Sequence, residues 1–117
     1  MNHSIAAEKS LAFSVRIVKL HNFLVENKKE YTLSKQILRS GTSIGANIAE
    51  ALRGQSTADF ASKMNIALKE ASETEYWIKL LHYTDYLTTT QYNSLQKDIV
   101  ELLKLLTAIC KTAFADS

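Results

Sequence analysis

The sequence predicts an all-α protein: an up-down-up-down antiparallel four-helix bundle. Three observations predict it. The 117 residues include no proline and only three glycines, so little in the chain interrupts a helix. Apolar residues recur at spacings of three and four through four long stretches, and no stretch alternates as a strand would. Short polar strings with capping residues separate the stretches, and short connections make consecutive helices antiparallel neighbours. Helices are expected at about 4–27, 33–53, 57–84 and 89–115, in one domain spanning 1–117.

The first helix carries more apolar surface than one core seam needs. Leu11, Val15, Val18 and Val25 fall on one face, Phe13, Ile17, Leu20 and Leu24 on another. One face serves the core and the other a partner. The contact between copies is assigned to Phe13, Ile17, Leu20 and Leu24, joined by Trp77 of the third helix.

Thr32 or Ser34 is the expected N-cap of the second helix. Its stretch from Arg39 to Arg53 organises the rest. Ile37, Gly41, Ile44, Ile48 and Leu52 form an apolar stripe, and Thr42, Gly45, Ala46 and Ala49 form a seam of small side chains beside it. Arg39, Ser43, Asn47 and Glu50 lie away from the stripe. Each helical glycine costs about 1 kcal/mol against alanine. Gly41 and Gly45 are therefore expected where another helix approaches closely.

Gly54 suits a left-handed C-cap, and Ser56 with Asp59 resembles a capping box that starts the third helix. Phe60, Met64, Ala67, Ala71, Thr74, Ile78 and Leu81 then form a coiled-coil-like seam. A turn centred near Gln55 sets Arg39 level with Glu70 and Glu73, and Arg39 with Glu73 is the preferred ion pair. Thr88 with Gln91 is a second capping box. The fourth helix has the cleanest period, through Tyr92, Leu95, Ile99, Leu102, Leu106 and Ile109.

Charge is nearly balanced at +2, but unevenly spread. Residues 1–63 hold nine Lys/Arg against five Asp/Glu, and residues 64–117 hold five against seven. Arg16, Lys19, Lys28, Lys29, Lys35 and Arg53 are the residues expected to meet nucleic acid if they gather on one surface of the assembly. The single cysteine, Cys110, has no partner for an internal disulfide and reads as a small buried hydrophobe. No apolar run approaches the roughly 18 residues of a membrane span. The N-terminus lacks the charged start and apolar core of a signal peptide, so a cytoplasmic protein is expected. His3, His21 and His82 are scattered, no Cys/His spacing fits a metal, and neither a phosphate loop nor a nucleophile elbow occurs. No catalytic residue, metal, cofactor, membrane or small-molecule substrate is expected.

Three strings carry a family resemblance: Tyr31-Thr32-Leu33-Ser34-Lys35-Gln36, the run from Leu38 through Arg39-Ser40-Gly41-Thr42-Ser43-Ile44-Gly45-Ala46-Asn47-Ile48-Ala49-Glu50 to Ala51, and Ile66-Ala67-Leu68-Lys69-Glu70-Ala71-Ser72-Glu73-Thr74-Glu75-Tyr76-Trp77. Through them nearly the whole chain resembles the four-helix-bundle family named for proteins encoded in intervening sequences of 23S ribosomal RNA genes. That resemblance, with the second apolar face of the first helix, implies a cyclic homo-oligomer, a homopentamer. The related accessory variability determinant of diversity-generating retroelements is a pentamer that associates with a reverse transcriptase and nucleic acid. Two functions are consistent with the residues: a non-catalytic module that binds RNA, DNA or a nucleic-acid enzyme through a basic surface, or a protein-interaction scaffold ring without nucleic-acid affinity.

Overall fold

The computed structural model describes residues 3–116. They form four helices, α1 (His3–Lys28), α2 (Leu33–Ala51), α3 (Thr57–Tyr83) and α4 (Thr89–Asp116), in a rod of 45 × 21 × 19 Å. α1 packs on α2, α2 on α3 and α3 on α4, while α1 and α4 meet less closely. α2 does not reach α4, so the helix that was expected to contact everything touches only its two sequence neighbours.

Each helix buries one stripe. α1 contributes Phe13, Ile17, Leu20 and Leu24, α2 Ile37, Ile44 and Ile48, α3 Met64, Ile78 and Leu81, and α4 Ile99, Leu102 and Leu106. Burying one such side chain contributes about 1.5–3 kcal/mol. The burial corrects the assignment of Phe13, Ile17, Leu20 and Leu24 to a contact between copies. At 9% exposure or less they are already spent on the core of a single chain. The face left open is Leu11, Val15 and Val18, at 67, 48 and 44% exposed. Trp77 is half-buried and packs against the core.

The helix ends also differ from expectation in instructive ways. Thr32 occupies the N-cap position of α2 but its side chain makes no cap bond. Glu30 does that work: its carboxylate accepts from the N–H groups of Ser34 at 2.7 Å and Thr32 at 3.3 Å, where the helix dipole favours negative charge. Gly54 is not left-handed. Its tight position is instead a close approach, since a Cβ there would lie 3.0 Å from the Ala51 carbonyl oxygen and 3.1 Å from Asp59 Oδ2. The left-handed positions fall to Lys29 (φ 55°) and Asp85 (φ 67°). The bonds from Tyr86 N–H to Leu81 O and from Asp85 N–H to His82 O close a Schellman end on α3, and a wider bond from Glu30 N–H to Leu24 O closes α1 behind Lys29. Ser56 caps α3 by accepting from Asp59 N–H at 3.0 Å. Thr88 and Gln91 form a reciprocal capping box on α4, at 3.1 and 2.9 Å.

Candidate functional site

Arg39, on the outer side of α2, bridges two turns of α3. Its guanidinium donates to Glu70 Oε2 at 3.0 Å and to Glu73 Oε2 at closer range. Glu73 also accepts from the Trp77 indole N–H at 2.9 Å. That indole bond, opposed by partial burial and reinforced by Arg39, holds the Glu73 carboxyl below its usual pKa. One residue along each helix, the Ser40 and Thr74 hydroxyls meet at 2.9 Å with no solvent exposure. Thr74 Oγ1 also lies 2.8 Å from the Glu70 carbonyl, which can only accept. The Thr74 proton therefore goes to Glu70 and Ser40 supplies the proton of the pair.

The remaining polar residues of this helix serve it locally or at its end. Ser43 donates to the Arg39 carbonyl at 2.6 Å, and Asn47 donates to the Ser43 carbonyl at 2.8 Å. Glu50 reaches Lys63 of α3 at 3.8 Å. Neither Ser43 nor Asn47 spans two helices, so the cluster is a tie between α2 and α3 with no group placed for chemistry.

The two glycines face α1 but are not equivalent. A Cβ on Gly41 would fall 2.8 Å and 2.9 Å from the γ-carbons of Ile17, whereas one on Gly45 would meet the Ser14 and Ser10 hydroxyls at 3.3 and 3.4 Å. Gly41 is the tight contact. Gly45 instead lies in a shallow groove of 510 Å³ between α1 and α2, with Ser10, Leu11, Ser14, Thr42, Ala46 and Ala49.

The cations do not gather on one surface. Arg53 follows the end of α2, and Lys35 lies in its first turn, 18 residues or roughly 27 Å away along the helix. Arg16 is engaged: it donates to Asp98 at 2.6 Å and to Ser94 Oγ at 2.9 Å across the α1–α4 seam, where Lys9 also meets Glu101 at 2.9 Å. Lys28, Lys29 and Lys35 lie about the α1–α2 turn, with Lys19 roughly 13 Å back along α1, and none of the four has an acidic partner among the described residues. Lys28 sits over the Phe23 ring, 5.9 Å from its centroid, and Lys29 donates to the Glu26 carbonyl.

Sequence reasoning missed what lies between these lysines. Because α1 and α4 meet loosely, a groove of 350 Å³ opens between them, floored by Leu20, Phe23, Leu87 and Leu95 and edged by Arg16, Lys19 and Gln91. A second hollow continues it through Phe23, Leu87 and Gln91 to Lys28, His82 and Asp85. The signal was the i, i+4 pair Lys19 and Phe23 on one side of α1, which is readable only once α4 is known to leave that side uncovered.

Among the described residues no group of three or more His, Cys, Asp or Glu could hold a metal ion, and no helix is long and apolar enough to cross a membrane. Burial raises the Cys110 thiol pKa, which leaves it in the inert protonated form. Fold and side-chain geometry together define an all-helical bundle whose ordered polar clusters tie helices to one another. The family model for 23S rRNA-intervening sequence proteins matches residues 2–108, and the chain belongs to that family. A protein of unknown function from the S23 ribosomal protein family of Bacteroides thetaiotaomicron has a similar crystal structure. The TM-score is 0.93, with 58% identity over 95% of this chain and 99% of that one. Comparison with curated proteins gives no match. Neither the family nor this relative is described as an enzyme.

Proposed function

We propose that the chain is a non-catalytic, cytoplasmic homo-oligomer that binds RNA or DNA, or an enzyme acting on them, through the cationic end formed by Lys19, Lys28, Lys29 and Lys35. The observation that carries this reading is that these four ammonium groups lack acidic partners among the described residues, while Lys9 and Arg16 of α1 are neutralised across the seam. The helices run up-down-up-down and antiparallel. Support comes from the order of ties between α2 and α3: Lys63, early in α3, meets Glu50 late in α2, and Glu73 further along meets Arg39 further back.

The assembly is a pentamer with fivefold cyclic symmetry. Its contact uses the exposed Leu11, Val15 and Val18 face of α1 and the neighbouring groove of small residues at Gly45, Ala46 and Ala49, where bulk from another copy can approach without displacing anything. A ring repeats the lysine cluster five times, so a modest local charge becomes a strong field for phosphates.

Filter-binding titration of the assembled protein with RNA and DNA tests the reading. Retention at low salt should weaken by roughly tenfold or more on approaching physiological ionic strength. Replacing Lys19, Lys28 and Lys35 with Glu should abolish it and leave the assembly intact. If no nucleic acid is retained at any salt concentration, the scaffold ring is the correct reading.

A further inference from the structure

We infer that the open seam between α1 and α4 takes a single-stranded segment of nucleic acid, with one base turned into the apolar groove and the flanking phosphates on Lys19 and Lys28. The inference rests on the nucleic-acid reading above and names the form of the ligand. A groove of 350 Å³ falls within the roughly 300–1,000 Å³ of small-ligand sites. Its floor of Leu20, Phe23 and Leu87 offers one aromatic ring and aliphatic neighbours, a surface that stacks any base without regard to sequence.

The edges fix the chemistry. Gln91 spends its carbonyl oxygen on the Thr88 N–H at 2.9 Å, which leaves the amide N–H groups to donate to an acceptor on a base edge. Lys19 and Lys28 stand nine residues apart on α1, roughly 13 Å along the axis and half a turn round it; Lys19 edges one end of the groove, and Lys28 reaches the other beside the Phe23 ring. Two cations so far apart, on either side of an apolar floor, match a repeating polyanion better than an amphiphile with one charged head. A stacked strand advances only about 3.4 Å per nucleotide, so several phosphates fit the span. Lys28 already lies over the Phe23 ring; a base arriving there would displace the ammonium toward a phosphate. Asp85 lines the far hollow, so the strand is held between Lys19 and Lys28 and does not continue past the α3–α4 turn. A duplex keeps its bases stacked inside and cannot fill the floor, which makes the preference for single strands a property of this groove.

The test uses the full assembled protein with fluorescein-labelled oligo(dT) and oligo(U) ten-mers and a ten-base-pair duplex at low salt. Single strands should bind at least about fivefold tighter than the duplex. Phe23→Leu, which keeps apolar bulk but removes the ring, should erase that preference and leave the residual salt-dependent binding unchanged. Circular dichroism melting confirms that the variant folds. Independently of any variant, 4-thiouridine placed mid-strand should crosslink to peptides containing Phe23 or Leu87. Equal binding of both forms, or crosslinks confined to peptides without Phe23 or Leu87, would overturn the groove assignment while the function stands. If neither form binds, the nucleic-acid reading itself fails and the groove belongs to a protein segment.

Discussion

Ser40 of α2 and Thr74 of α3 meet hydroxyl to hydroxyl at 2.9 Å, both with no exposure to solvent. Two small polar residues at the centre of an otherwise apolar contact fix how the two helices slide against each other, because any other register would bury both without partners. Thr74→Val should cost about 1–3 kcal/mol, since it strands the Ser40 proton; Ser40→Ala should cost less, about 1 kcal/mol. The double variant is expected to lose less than the two singles together. Urea melts of the three proteins would show it, and strict additivity would mean that the hydroxyls do not depend on each other.

The neighbouring tie between Arg39 and Glu73 is half in water, with side-chain exposures of 50 and 35%. Screening keeps its coupling near the upper end of surface pairs, about 1 kcal/mol in a double-alanine cycle. The Glu73 carboxyl titrates below its unfolded value. Its contribution is therefore complete above the ordinary glutamate pKa of about 4.3 and is lost as pH falls through the lowered folded value. Melting temperatures of wild type and Glu73→Gln should converge toward acid pH; a constant gap down to pH 2 would contradict the linkage.

The two glycines separate by prediction as well as by geometry. Gly41→Ala pushes a methyl group into Ile17 and should destabilise by about 1–3 kcal/mol despite alanine's better helix propensity. Gly45→Ala should stay near wild type or gain up to about 1 kcal/mol, because the serine hydroxyls beside it can rotate away. Equal losses at both positions would mean that the groove at Gly45 is tighter than it stands here.

Lys29 holds a left-handed conformation that costs a side chain about 1–2 kcal/mol. Lys29→Gly relieves it, and even after the greater freedom of glycine in the unfolded chain should stabilise the protein by several tenths to about 1 kcal/mol. A lower melting temperature would show that the exposed bond from Lys29 Nζ to the Glu26 carbonyl outweighs the backbone strain.

Assembly is checked by light scattering. At micromolar concentration the mass should be near five chains, and Leu11→Glu with Val18→Glu should reduce it to one without unfolding. A stable wild-type monomer would remove the oligomer from the proposed function.

How much of this was legible follows from where the information sits. Helix number and limits to within two or three residues came from period and composition alone, and the Arg39–Glu73 pairing from the position of one turn. α1 was misread because Leu11–Val15–Val18 and Phe13–Ile17–Leu20 are adjacent apolar stripes of similar strength, and nothing within α1 ranks them. The decisive fact belongs to another helix: Gly41 leaves room for Ile17 and for no bulkier neighbour. The caps of α3 and α4 at Ser56 and Thr88 were legible, but that of α2 was missed for a related reason, since Glu30 reaches two N–H groups from outside the helix while Thr32, the right residue type, makes no cap bond. The cations were misjudged because counting charge by halves of the chain ignores the distance along a helix and the acids of α4 that take up Lys9 and Arg16.

The chain has a single tryptophan, and Trp77 lies one hydrogen bond from Glu73 and so one residue removed from Arg39. The protein thereby contains its own optical reporter at the junction of α2 and α3. Protonating Glu73 removes a negative charge beside the chromophore, and sliding the helices apart exposes it to water. The two events should shift the emission spectrum at different pH and denaturant concentrations, so unlabelled protein can show whether this junction opens before the rest of the bundle.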